Sequence, residues 1–196
     1  MTDTPVAKPA ASARPIAPFA VNHIVLNVRD IEESHRFWTE IIGMRQVGAL
    51  RPTPTRPNPP KMRFYSADHG GEPSHHDIAL VEQANLPMIE AGEVNQIHHV
   101  ALALPNREAW LAQLAFLQEK GIKFDSRVEH GPTHSLYIRD PNGYGVELLY
   151  ELPREVWAHD IDASVNYYVA KPTEGPAALE DRVEDYPVFA GAAREA

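Results

Sequence analysis

Two stretches decide the fold: Val21-Asn22-His23-Ile24-Val25-Leu26-Asn27-Val28 and Ile97-His98-His99-Val100-Ala101-Leu102-Ala103-Leu104. In each, apolar residues recur at every second position, the period of a half-buried strand. The same signals then follow both. After the first come Asp30, Glu33, the apolar Phe37, Trp38, Ile41 and Ile42, and Gly43; after the second come Asn106, Trp110, Leu111, Leu114, Leu117 and Gly121. Each set spells a helix cap, an amphipathic helix and a glycine stop. His23 and His99 lie 76 positions apart, as do Asp30 and Asn106. Further on, Phe64-Tyr65-Ser66-Ala67-Asp68 answers Leu136-Tyr137-Ile138-Arg139-Asp140, and the run from His76 to Glu82 answers the run from Gly145 to Glu151. This internal duplication predicts an α+β fold of two βαβββ modules, about 19–82 and 97–152, forming one cupped sheet around a metal site.

The rest of the chain frames that unit of 19–152. Residues 1–18 hold four prolines among small residues and read as a flexible arm. The extension 153–196 carries nine acids against four cations, yet also Trp157, Tyr167, Tyr168, Tyr186 and Phe189, so it is expected to drape over the core or a partner subunit. An insert, Arg51 to Lys61, is rich in proline and predicts an extended loop in the first module. No apolar run approaches the roughly 20 residues that cross a bilayer. The start of the chain lacks the pattern of a secretory signal, so a cytoplasmic location and no membrane partner are expected. A net charge of -9 excludes a general nucleic-acid binder. The sequence has no cysteine, so any metal falls to His, Asp or Glu.

Side chains alternate across a strand, which separates a packed face from an open one. Ile24, Leu26 and Val28 form the packed set of the first strand and leave His23, Val25 and Asn27 opposite. Val100, Leu102 and Leu104 likewise leave His99, Ala101 and Ala103. In the last strand Val146, Leu148 and Tyr150 pack, and Glu147, Leu149 and Glu151 face the other way. His23, His99 and Glu147 thus share the open face. Two imidazoles and one carboxylate make the facial triad of non-heme Fe(II), with three coordination positions left free.

These residues resemble a family. Paired βαβββ modules with a ligand near the start of each first strand are similar to the vicinal oxygen chelate superfamily of glyoxalases, fosfomycin-resistance proteins and extradiol dioxygenases. The run from Val128 to Glu147, with His130, Tyr137, Asp140-Pro141, Gly143 and Glu147, resembles the signature of extradiol ring-cleaving dioxygenases of the single-domain type. The resemblance implies Fe(II) held by His23, His99 and Glu147, with His130 and Tyr137 touching the substrate and reacting oxygen. The pair His75-His76 resembles a family segment whose second His lies beside bound dioxygen, which implies an acid/base role for His76. The implied partners are a catechol-type aromatic diol and O2. Exposed sheet edges and the aromatic tail suggest a homo-oligomer, a dimer or higher.

Two other readings stay open. Aligning the modules sets Asp77 near the place of Glu147, and in glyoxalase-like relatives a fourth carboxylate there supports an isomerase or lyase. A metal-free small-molecule binding protein is the third reading. Cations at Arg51, Arg56, Lys61 and Arg63 would suit a carboxylated aromatic, or only a solvated face.

Overall fold

A computed structural model describes residues 17–89, 93–181 and 189. Most of the N-terminal arm, together with Tyr186, lies outside the described residues. The first module runs β1 (Ile24–Val28), α1 (Ile31–Arg36) continuing into a widened turn (Phe37–Ile41), β2 (Arg45–Ala49), β3 (Met62–Ser66) and β4 (Ile78–Glu82). The second runs β5 (His99–Ala103), α2 (Arg107–Glu119), β6 (Ser126–His130), β7 (Thr133–Arg139) and β8 (Gly145–Glu151). The tail adds two short helices, α3 (Arg154–Trp157) and α4 (Ile161–Val165), and then β9 (Tyr168–Lys171).

The strands hydrogen-bond as two sheets, β1-β4-β3-β2 and β5-β8-β7-β6-β9, so the duplicated units are visible as such and the tail supplies a ninth strand. In each module the first and last strands pair in parallel and the others antiparallel. The predicted caps are in place. The Asp30 carboxylate accepts from the backbone N–H groups of Glu32 and Glu33 at 2.8 and 2.9 Å, and the Asn106 side chain accepts from Ala109 at 2.8 Å. Gly43 and Gly121 end the helical segments with positive φ, at 88° and 69°.

The packed faces follow the alternation. Leu26, Val28, Trp38, Trp110, Leu114, Leu136 and Val146 are fully buried in one apolar cluster shared by both modules, while Val25 on the opposite face is 43% exposed. The joint between modules is polar and specific. Asn142, in the turn between β7 and β8, donates to Ser34 Oγ at 3.0 Å and accepts from the Arg29 backbone at 2.9 Å. Arg29 also donates to the Pro141 carbonyl at 2.8 Å, and Gln113 of α2 donates to the Ile41 carbonyl at 2.8 Å. Asp140 is pushed upward in pKa by burial, although its carboxylate accepts from the Asn142 and Tyr144 backbone and so closes the same turn. This turn ties the second sheet to the first helix.

A second polar cluster fastens the tail. Asp181 is buried and receives Arg107 Nε at 2.8 Å, Tyr150 OH at 2.7 Å and His134 Nδ1 at 2.7 Å, with Arg127 at 3.4 Å. Glu129, His134 and Asp181 are the one group of three potential metal-binding side chains among the described residues whose donor atoms lie within 4.8 Å of one another. Two guanidinium groups already sit on Asp181, and Lys171 sits on Glu129 at 2.7 Å, so protein cations balance these carboxylates. We therefore describe the cluster as a buried ion network. No helix of the described residues is long and apolar enough to cross a membrane.

Burial pushes the Asp181 carboxyl up, but hydrogen bonds from His134 and Tyr150 and the Arg107 guanidinium outweigh it and hold the group down at about 2. A carboxyl lowered in the folded state contributes stability above its ordinary pKa and loses it as pH falls toward the folded value. The gap in unfolding free energy between wild type and Asp181→Asn, measured by urea titration, should therefore shrink by about 2 kcal/mol from pH 5.5 to pH 2.5. A gap independent of pH would contradict this assignment.

Candidate functional site

The parallel pairing of β5 with β8 builds the centre. Its register sets His99 beside Gly145 and Ala101 beside Glu147. A side chain at Gly145 would stand 2.5 Å from the His98 carbonyl, so glycine lets the two strands close up. Glu147 then reaches back along the open face, and its Oε2 lies 3.0 Å from His99 Nε2. Tyr137, directly across from Glu147 on β7, donates its hydroxyl to Glu147 Oε1 at 2.8 Å. His130 Nε2 stands 3.2 Å from the same hydroxyl. His99, Glu147, Tyr137 and His130 thus form one continuous line of contact. Glu147 is 5% exposed, low for a carboxylate, and the hydrogen bond from Tyr137 offsets part of that cost. Burial and the Glu147 carboxylate hold the Tyr137 phenol well above its ordinary range, so it stays protonated at neutral pH. A cleft of about 460 Å³ opens beside His99 and Tyr137.

The first module gathers the other histidines. His23, before β1, is exposed; its ring lies 4.4 Å from that of His76 and 6.3 Å from that of His75, between centroids. His76 packs edge-on against Phe64 at 5.0 Å. Burial, together with the neighbouring rings of His23 and His75, lowers the His76 pKa, so that ring is neutral at pH 7.

The structure does not bring all the expected ligands together in one chain. His99 and Glu147 are spaced as neighbouring ligands of one ion, since two bonds of about 2.1 Å at right angles end about 3.0 Å apart. His23 does not complete a group of three with them among the described residues. A single chain therefore fits a metal with two side chains of the expected three.

The register also relocates the counterpart of Glu147. Ile24 pairs with Ile78 and Val25 with Ala79, so Ala79 holds in the first module the place that Glu147 holds in the second. Asp77 lies two residues earlier. Its carboxylate accepts from the Ala67 N–H at 2.8 Å and contacts His69 Nε2 at 2.8 Å, and these partners outweigh burial to keep it below the usual carboxylate range. The turn at His69–Gly71, which has no equal in the second module, displaces the alignment read from sequence. Lys61 pairs with Glu82 and Arg63 with Glu32, so these two cations of the insert region are already engaged. His134 is buried on the packed face of β7 against Tyr150.

The model of the glyoxalase/bleomycin resistance protein/dioxygenase superfamily matches residues 20–148. The chain belongs to this superfamily. Among curated relatives, the superfamily chain is 26% identical over 140 residues to catechol-2,3-dioxygenase of Bacillus subtilis (strain 168), covering 71% of this chain and 44% of that protein. It is 24% identical over 156 residues to lactoylglutathione lyase of Schizosaccharomyces pombe, covering 71% and 50%. It is 29% identical over 128 residues to biphenyl-2,3-diol 1,2-dioxygenase 3 of Rhodococcus globerulus, covering 64% and 60%. The chain spans about half the length of these relatives. A glyoxalase/dioxygenase crystal structure from Nostoc punctiforme shares the fold with a TM-score of 0.54 at 18% identity, covering 73% of this chain and all of the other.

The contrast between the two carboxylates is measurable. Glu147→Gln should lower affinity for divalent metal by more than about 100-fold, and Asp77→Asn by clearly less, at most the roughly 10- to 100-fold of a group outside the coordination sphere. Equal losses in anaerobic metal titrations would make Asp77 a ligand.

Proposed function

We propose that this protein cleaves the ring of a catechol-type diol with O2, beside the two hydroxyls, to a ring-opened semialdehyde acid, using Fe(II). The contact line from His99 through Glu147 and Tyr137 to His130 carries the reading, since it sets a ligand pair and two proton-handling groups side by side on one open face. Likeness to two diol dioxygenases supports it. Bound iron would hold diol and dioxygen together and relay electrons from the diol to dioxygen. His99, Glu147 and His23 are the residues we assign to it.

The chain's own groups supply the proton chemistry. His76, neutral at pH 7, is able to accept a phenolic proton from the diol. Tyr137, kept protonated, is able to turn its hydroxyl from Glu147 toward oxygen on which negative charge develops and donate to it. His130, in contact with the Tyr137 hydroxyl, returns a proton to the opening product. Ala79 at the register of Glu147 leaves the first module without a matching carboxylate, which favours this reading over a four-ligand isomerase or lyase; likeness to lactoylglutathione lyase favours the latter.

The separation of His23 bears on assembly. The joint through Arg29, Ser34 and Asn142, with the shared apolar cluster, fixes the two sheets relative to each other, so closing them within a chain would break these contacts. A homodimer costs none of them. We assign the third ligand to His23 of a second copy meeting the His99 and Glu147 pair of the first.

Oxygen-electrode assays with a panel of catechols on iron-loaded protein should show uptake with a coloured product. His76→Ala, His130→Ala and Tyr137→Phe should slow turnover by about 100-fold or more while iron content stays near wild type. Absence of uptake from fully loaded protein across the panel would reject the dioxygenase reading.

A further inference from the structure

The tail extends the open face of the second module. β9 pairs antiparallel with β6, and the register sets Tyr168 across from His130 and Ala170 across from Val128. Strand alternation then turns Lys171 to the other face, where it meets Glu129 at 2.7 Å. The Tyr168 ring lies edge-on to His130, 5.9 Å between centroids, yet is 62% exposed. Its position is built into the chain. The Gly131 N–H donates to the Ser164 carbonyl at 3.2 Å, and a Cβ at Gly131 would stand 2.4 Å from that oxygen, so the tail lies directly on the turn between β6 and β7. Lys171 fixes the other end of β9 through its contact with Glu129, and Asp181 fastens the chain beyond it through the buried ion network.

The surroundings indicate what such a ring would meet. Between Tyr168 and Glu147 the same face carries Val128, Ser135 and Leu149; Val128 and Ser135 are buried and Leu149 is half-buried, so the setting of the His130 and Tyr168 rings is largely apolar. Apart from Glu147, which we assign to the metal, its charged groups include the exposed carboxylate Glu151, and Arg139 is engaged by Asp125 at 2.8 Å.

We propose that Tyr168 is a substrate-contacting residue that forms the far wall of the diol site, and that it selects catechols bearing an uncharged apolar substituent over carboxylated ones. The inference rests on the dioxygenase reading for the placement of the diol beside His130. An apolar substituent reaching past His130 gains contact with the Tyr168 ring, whereas a carboxylate there meets like charge and no unengaged cation among the described residues of that face.

The test is anaerobic calorimetric titration of the full iron-loaded chain with catechol, 4-propylcatechol and 3,4-dihydroxybenzoate. Wild type should bind 4-propylcatechol more tightly than 3,4-dihydroxybenzoate. Tyr168→Ala should weaken 4-propylcatechol about threefold to tenfold, the scale of one aromatic contact, and leave catechol within about twofold; Tyr168→Phe should match wild type. Unchanged affinities in Tyr168→Ala, or the same loss for all three diols, would overturn the proposal, as would failure of wild type to bind any of them. Discriminating binding without oxygen uptake would sink the dioxygenase reading and leave the Tyr168 assignment standing.

Discussion

The close approach of β8 to β5 at Gly145 is the constraint on which the site depends. It is what a missing side chain allows, since the His98 carbonyl lies 2.5 Å from where a Cβ would be. Parallel pairing then places Glu147 two residues beyond that contact, on the face where His99 also projects. Antiparallel pairing with β7 puts Tyr137 opposite Glu147, and the next strand brings His130 to the Tyr137 hydroxyl. The line of four contacting side chains is thus a product of strand register, and the apolar cluster behind the sheet holds that register in place.

The two modules share a plan and differ in the side chains they place on it. Both start with a histidine at one end of the first strand, yet the second module has Glu147 where the first has Ala79. The first instead clusters His23, His75 and His76 together, with Phe64 packed on His76. Duplication supplies symmetric backbone positions, and substitution on one side makes them unequal. Such asymmetry is what a three-ligand centre needs if one side of it is to stay free for reactants.

Much of this was legible in the chain itself. Alternation in Ile24–Val28 and His99–Ala103, the caps Asp30 and Asn106, and the glycine stops report local physics that the fold preserves. The association of His99 and Glu147 is legible because period-two strands fix faces without knowledge of distance. What stayed hidden depends on distant partners. His134 looks like a loop residue until Asp181, 47 positions away, closes on it. Asn142 sits in a run that reads as catalytic signature, but its side chain joins the modules through Ser34, 108 positions away. The extra turn at His69–Gly71 shifted the apparent equivalence from Ala79 to Asp77. β9 was not read as a strand at all, since four residues carry too little pattern beside a long acidic tail.

The proposed centre has one iron held by His23 of one chain and by His99 and Glu147 of another. Iron analysis of anaerobically prepared heterodimers, one chain carrying His23→Ala and the other Glu147→Ala, isolated through two different tags, tests it most directly. In such a pair one site carries both lesions and the other carries neither. The account predicts about one iron per heterodimer, against almost none in either variant alone. Heterodimers as empty of iron as the single variants would contradict it, because a site closed within each chain leaves a lesion in both.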